Sequence, residues 1–279
     1  MFRSYGGISA GRTENGAVAP FDLAARLDAL VAIDAPAAKA YRPAAACARP
    51  AARGIRPAVF RGHPKHCPVC RRQSGHFLSF GLVRRRNAVC PGCGSLERHR
   101  FLWLYLEKAL RLPGRRLSIL HVAPETCIRE RLVALPNLRY AGVDLYRPDA
   151  PLSMDVTRLA LPDASIDLVI CSHVLEHVER DRLALGEFAR VLRPGGRAII
   201  IVPLDPRRAT LEYAEARTAA QRLAAFGHPY HVRICGADYG DRIAEAGFSV
   251  CRVDAGALSG HRRRYFRLNK ASLFDSRRG

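Results

Sequence analysis

Residues 161–196 read LPDASIDLVICSHVLEHVERDRLALGEFARVLRPGG. The run Ile166-Asp167-Leu168-Val169-Ile170-Cys171 has the length and β-branched content of a buried strand, and polar residues follow it at once. After Glu179, apolar residues recur at Leu183, Leu185, Phe188, Val191 and Leu192, until Arg193-Pro194-Gly195-Gly196 stops the helix before a second apolar run at 198–202. Strand, helix and strand make a β-α-β unit, from which open parallel sheets with helices on both faces are built. Ligands of such sheets bind beyond the carboxyl ends of the strands, so Ser172 and His173 lie where chemistry is expected.

The flanks extend the alternation. Residues 117–122 (LSILHV) predict a first strand, followed by Ala123-Pro124-Glu125 and a helix to Leu135, and 138–143 predict a second strand ending in Asp144. A carboxylate there, about 20 residues beyond the first turn, can accept hydrogen bonds from both ribose hydroxyls of a nucleoside, with Leu145 flanking the adenine. A mixed helix is predicted from about 210 to 226, another from 238 to 246, a sixth strand at 248–253 and a remnant of a seventh at Leu273-Phe274.

Upstream lies a different signal. Cys67-Pro-Val-Cys70 and Cys90-Pro-Gly-Cys93 are separated by nineteen residues. Each CxxC turns two thiolates toward one ion, and two such knuckles complete a tetrahedral sulfur site for structural Zn2+, as in a zinc ribbon. The apolar residues Phe77, Leu78, Phe80, Leu82 and Val83 predict the short strands between them. Ser95 is the expected N-cap of a helix running to Leu110 that docks the ribbon on the main domain. The chain thus divides into an Ala/Arg/Pro-rich disordered or linker-like segment at 1–60 with room for one short helix at 21–33, a ribbon with its docking helix at 61–116, the α/β domain at 117–260, and a basic C-terminal tail at 261–279 that includes the candidate last strand.

The formal charge of +20 is unevenly spread. Residues 61–116 carry 13 basic and 2 acidic side chains, 261–279 carry 7 and 1, and 117–260 carry 17 and 18. A polyanion-binding surface would therefore belong to the ribbon, where Arg84-Arg85-Arg86 stand near Arg98 and Arg100, and to the tail. Solvated arginines that bind nothing are the alternative. The longest apolar runs are too short to span a bilayer, and MFRSYGGISAGRTENG has no apolar leader, so a cytoplasmic location without a membrane span is expected.

The VLEHV turn at 174–178, the RVLRPGG helix end at 190–196 and the ordered strands across 117–253 resemble the class I S-adenosylmethionine-dependent methyltransferases of the type 11 kind. The turn His121-Val-Ala-Pro-Glu125 resembles that of a subgroup bearing an N-terminal zinc ribbon, and departs from the glycine-rich turn of most relatives. The resemblance implies a Rossmann-like sheet and S-adenosylmethionine as cofactor. It places His121, Ala123 and Glu125 at the methionine part, Glu125 taking the ammonium, and Asp155 with the backbone of Val156 at the adenine. Ser172 and His173 then face the sulfonium, with His173 as base or acceptor-orienting group. Thr210, Glu212, Phe226, Gly227, His231, Val232 and Arg233 match T-x-E and F-G-x-x-x-H-V-R elements of the subgroup. This implies an acceptor pocket in which His231 takes a proton and Arg233 holds an anionic group.

For His121, His231 and Arg233 the alternative is a structural role, and for Asp155 it is a turn cap. The methyl acceptor is expected to offer oxygen, nitrogen or carbon, on a sugar or nucleotide-sugar or on RNA. The competing reading is a zinc-ribbon protein that binds nucleic acid or another polyanion and carries an inactive methyltransferase domain.

Overall fold

A computed structural model describes residues 65–81, 84–146, 152–269 and 271–279. The expected linker at 1–60, with its helix at 21–33, lies outside them. Four short strands come first: β1 (Lys65–His66) pairs antiparallel with β2 (Gln73–Ser74), and β3 (Leu78–Phe80) with β4 (Arg85–Val89). Helix α1 (Glu97–Leu104) follows and continues as a wider turn through Tyr105–Ala109.

The main sheet is then laid down by β5 (Leu117–Val122), α2 (Thr126–Val133), β6 (Leu138–Asp144), β7 (Leu152–Ser153), β8 (Ile166–Ser172), α3 (Asp181–Val191) and β9 (Leu192–Ile201). The two-residue strands β10 (Leu204–Asp205) and β11 (Cys235–Gly236) pair with each other, and α4 (Ala219–Phe226) lies between them in sequence. The chain closes with α5 (Tyr239–Ala244), β12 (Phe248–Asp254), α6 (Gly260–Tyr265) and β13 (Ser272–Arg278). The seven-stranded order is β12-β13-β9-β8-β5-β6-β7. Every neighbouring pair is parallel except those made by β13, which runs antiparallel to both β12 and β9.

The last strand corrects one boundary. The strand remnant expected at Leu273-Phe274 is a full strand over 272–278: β13 is interior to the sheet, with Leu273 and Phe274 buried and Asp275 held by Tyr105 Oη at 2.5 Å and by Arg197. The expected helix over 210–226 is also shorter, since only Ala219–Phe226 is helical, capped by the Thr218 hydroxyl. Residues 210–218 form turns, and Leu211 bridges to Ile234.

Two cores flank the sheet. On one face α3 buries Ala184, Leu185, Phe188 and Val191 against Val169, Cys171 and Ile200. On the other, Phe101, Leu102, Trp103 and Leu106 meet Ile119, Leu168, Ile170, Ile199 and Leu273, and the same cluster includes Cys67, Val69, Phe77 and Cys90 of the segment before α1. The cysteine-bearing segment therefore shares the hydrophobic core of the sheet.

Arg100 fastens this junction. It is fully buried, and its guanidinium donates to the carbonyls of Ala88 (3.0 Å), Ser95 (2.5 Å), Phe266 (2.9 Å) and Arg267 (2.7 Å) over the ring of Phe77. A basic patch including Arg100 is thereby corrected. Arg84, Arg85 and Arg86 are the exposed members, and Arg85 faces Glu97 at 3.6 Å.

Candidate active site and cysteine cluster

The parallel strands end together, with Val122 level with Val143 and Cys171, and Ser172 level with Ile201. Each central strand is prolonged by one backbone bond, from Ala123 N–H to Val143 O and from His173 N–H to Ile201 O, both 2.8 Å. Both residues then turn sharply, with φ of +46° at Ala123 and +55° at His173. Left-handed backbone at a non-glycine residue costs about 1–2 kcal/mol, and such strain clusters at ligand sites. The glycine-free turn thus does adopt a conformation that a glycine would ease. Close packing here relies on Gly142 of β6, where an added Cβ would stand 3.0 Å from the Pro124 ring.

Asp144 and Ser172 sit at the carboxyl ends of β6 and β8, and Asp155 lies two residues beyond β7. Asp144 Oδ1 accepts the Tyr146 N–H at 2.9 Å, and Leu145 is exposed. Asp155 Oδ1 accepts the Thr157 N–H and hydroxyl, each at 2.8 Å, so this carboxylate caps its own turn, with Val156 buried behind it. Ser172 Oγ and both oxygens of Glu176 are buried without an aligned hydrogen-bond partner among the described residues.

One expected cofactor contact, that of His121, is corrected. His121 is fully buried and both its nitrogens are engaged, Nδ1 with Tyr140 Oη and Nε2 with Glu125 Oε2, each at 3.1 Å. The other oxygen of Glu125 lies 3.3 Å from Nε2 of His99 on α1, whose Nδ1 accepts the Leu96 N–H at 3.2 Å. Burial pushes the Glu125 carboxyl up, but the neighbouring His121 and His99 outweigh it and hold the group ionised, while burial pulls the His99 imidazole down. Glu125 thus stands between the first turn and the docking helix, its Oε2 engaged by His121 and its Oε1 buried without an aligned hydrogen-bond partner among the described residues. No feature of the sequence tied His99 to this turn.

Across the cleft floor, Glu176 Oε1 is 3.0 Å from Nδ1 of His173. Burial raises this carboxyl too, but the contact with His173 outweighs it and keeps Glu176 ionised. A second buried carboxylate thus lies beneath the strand ends.

Arg233 is also corrected. Only 1% exposed, it donates to the carbonyls of Leu175, Val178 (2.6 Å) and Glu179 (3.0 Å), and pairs with Glu212 at 2.8 Å and Asp181 at 3.4 Å. Its donors pin the turn after β8 to the loop before β11, so it has none to offer an anionic acceptor. His231 packs against His177 and His228, and burial pulls its imidazole down to about 4.

A folded-state value below the unfolded one means that the unfolded chain binds the proton first. Stability contributed by neutral His231 is therefore complete above about pH 6.5 and is lost as pH falls toward 4. We expect His231→Gln to flatten this part of the stability–pH curve measured by urea unfolding; an unchanged slope would assign it to other groups.

The four cysteines of the two CxxC pairs converge. Sγ atoms are 3.7 Å apart for Cys67–Cys93 and for Cys70–Cys90, and all four lie within 4.8 Å of one another. A tetrahedron of ligands about 2.3 Å from Zn2+ has edges of about 3.8 Å, so the cluster fits that ion. The structure also moves Ser95: its hydroxyl lies 3.2 Å from Cys67 Sγ and 3.3 Å from Cys93 Sγ, and it serves the cluster rather than capping α1. The cap is Leu96, with His99 as its acceptor. Among the described residues no helix is long and apolar enough to cross a membrane.

Residues 126–200 match the model of a family described as a methyltransferase domain. A probable S-adenosylmethionine-dependent methyltransferase of Mycolicibacterium smegmatis is 31% identical over 122 residues, which cover 43% of this chain and 41% of that protein. The chain thus matches less than half the length of this relative. Among solved structures, an S-adenosylmethionine-dependent methyltransferase from Mesorhizobium loti is 19% identical, with a TM-score of 0.43, over 63% of this chain and 97% of that one. A possible histamine N-methyltransferase from Thermotoga maritima is 16% identical, with a TM-score of 0.44, over 65% and 91%. The matched residues 126–200 include Asp144, Asp155, Ser172 and His173.

Proposed function

We propose that the chain transfers the methyl group of S-adenosylmethionine to a hydroxyl of a small acceptor, a sugar or nucleotide-sugar. The observation that carries this reading is the convergence of Asp144, Ser172, His173 and left-handed Ala123 at the carboxyl edge of the parallel strands, above two buried, ionised carboxylates. The donor set suits the cofactor: Asp144 would accept from the ribose hydroxyls, Asp155 would lie toward the adenine, and Ser172 Oγ would meet the methionine end. Glu125 and Glu176 would supply the negative field that a cationic sulfonium needs. That sulfonium is the methyl donor and needs alignment more than activation.

His173 is the base in this reading. Its Nδ1–H faces Glu176, which leaves Nε2 for the proton of an acceptor hydroxyl. A small acceptor is favoured over RNA because Arg100, one member of the expected basic patch, is buried, which leaves Arg84, Arg85 and Arg86 as its exposed run. Structural zinc in the four-cysteine cluster completes the proposal.

The test is methyl transfer from labelled S-adenosylmethionine to nucleotide-sugars and to RNA, with His173→Asn beside the native protein. His173→Asn is expected to lower kcat by about a hundredfold or more while leaving cofactor affinity in place. Transfer to RNA alone would replace the acceptor class, and equal turnover by the variant would remove His173 as base. Salt-dependent RNA binding without turnover would favour the inactive polyanion-binding reading.

A further inference from the structure

Three histidines outside the methyl-transfer reading come together from two distant segments. His177 ends the short turn Leu175–His177 after β8. His228 and His231 flank a tight turn in which the His231 N–H approaches the His228 carbonyl at 3.4 Å. Ring centroids are 4.3 Å apart for His228–His231, 4.8 Å for His177–His231 and 5.6 Å for His177–His228. One ring nitrogen from each lies within 4.8 Å of the other two. Imidazoles bound to one ion at about 2.0–2.1 Å in tetrahedral geometry have nitrogens about 3.3–3.4 Å apart, so modest ring rotations close the difference.

The surroundings prepare the rings for an ion. His177 Nδ1 stands 3.0 Å from the Tyr230 carbonyl, which can only accept, so Nδ1 carries the hydrogen and Nε2 keeps its lone pair. Metal-ligating histidines are oriented by this kind of outer contact. His228 Nδ1 accepts the Tyr230 N–H at 3.3 Å, a long bond that an ion can displace. The loop is fixed to the turn that bears His177 by the Val232 N–H on the Glu176 carbonyl at 2.9 Å, and by the Arg233 donors on Leu175, Val178 and Glu179. The two segments are thus held in register before any ion arrives. His177 is exposed while His228 and His231 are half-buried, which leaves the fourth position of a tetrahedral ion toward solvent.

We propose that His177, His228 and His231 form a mononuclear site for a borderline transition-metal cation of the Zn2+ class, with an open fourth position. The donor set is all imidazole, which suits Zn2+, Co2+ or Ni2+ and not Mg2+ or Ca2+. Three histidines and an open position are also the pattern of catalytic rather than structural zinc. An acceptor oxygen in that position would be a consequence under the methyl-transfer reading; ion binding itself does not depend on that reading.

The experiment uses the full chain with its cysteine cluster filled by zinc, and titrates it with Co2+ in the absence of S-adenosylmethionine. The native protein is expected to take up one further ion per chain, with ligand-field absorption of tetrahedral cobalt and without thiolate-to-cobalt charge transfer. His177→Ala and His228→Ala are each expected to weaken this uptake by more than the roughly tenfold that loss of an outer-shell partner costs. Their zinc content and thermal midpoint are expected to stay native, because neither ring is in the core. No uptake beyond the cysteine cluster, or equal uptake by both variants, overturns the proposal and leaves methyl transfer untouched. Uptake with thiolate charge transfer likewise overturns it, since the cobalt would then sit on the cysteines.

Discussion

Under the structural-zinc proposal, stripping metal from the four-cysteine cluster, by a strong chelator or by Cys90→Ser, is expected to unfold the cysteine-bearing segment and to loosen the first turn of the sheet with it. Small structural zinc sites contribute apparent binding free energies of about 10–16 kcal/mol. Whole domains are stable by only about 5–15 kcal/mol, so the loss is of the size of the stability itself. The damage spreads because Cys67, Val69, Phe77 and Cys90 belong to the same core as Phe101, Leu102 and Trp103. It also reaches the cleft, since Ser95 contacts the cluster and, four residues on, His99 faces Glu125 at 3.3 Å. Metal content, circular dichroism and hydrogen exchange across α1 measure this directly. A metal-free chain with the native unfolding midpoint would show that the four thiols do not hold a structural ion.

Arg233→Met is expected to cost about 3–5 kcal/mol, the penalty for breaking a buried ion pair from one side. The methionine fills much of the volume but leaves the carbonyls of Leu175, Val178 and Glu179 without donors. Asp181 keeps Arg242 and the Tyr239 hydroxyl, so the loss falls mainly on the turn after β8 and on the loop before β11. Urea unfolding gives the magnitude, and Arg233→Lys should recover only part of it, since one ammonium cannot reach acceptors on every side. A variant of native stability that loses only acceptor affinity would restore the anion-binding role implied by the T-x-E and H-V-R elements.

Local pattern carried much of this architecture. The strand at 166–172, the helix at 181–191 and the strand ending at Ile201 stand where their periodicity places them, because each buries a face that its own sequence marks. Asp144 at the end of β6 and the convergence of four cysteines were legible for a similar reason: spacing along a strand, or within a knuckle, fixes where a side chain arrives. The sequence misled where partners are distant. Leu273-Phe274 reads as a fragment because β13 is identified by two neighbours, β9 and β12, that its own residues do not announce. Arg100 reads as part of a basic patch and Arg233 as an anion holder, because an arginine is buried only when several carbonyls and carboxylates are brought to it by other segments. Ser95 has the chemistry of an N-cap, but the thiols of Cys67 and Cys93 compete for its hydroxyl and win. His231 stands out in sequence through the H-V-R element, and only the fold sets His177 and His228 beside it.

The most direct test of the account is calorimetric titration of the zinc-replete chain with S-adenosylmethionine and S-adenosylhomocysteine, beside Asp144→Ala. The account predicts saturable one-site binding by the native protein. Loss of two charge-assisted hydrogen bonds to the ribose weakens binding in the variant on the order of a hundredfold. Absence of binding by a folded native chain, or equal affinity in Asp144→Ala, would contradict it.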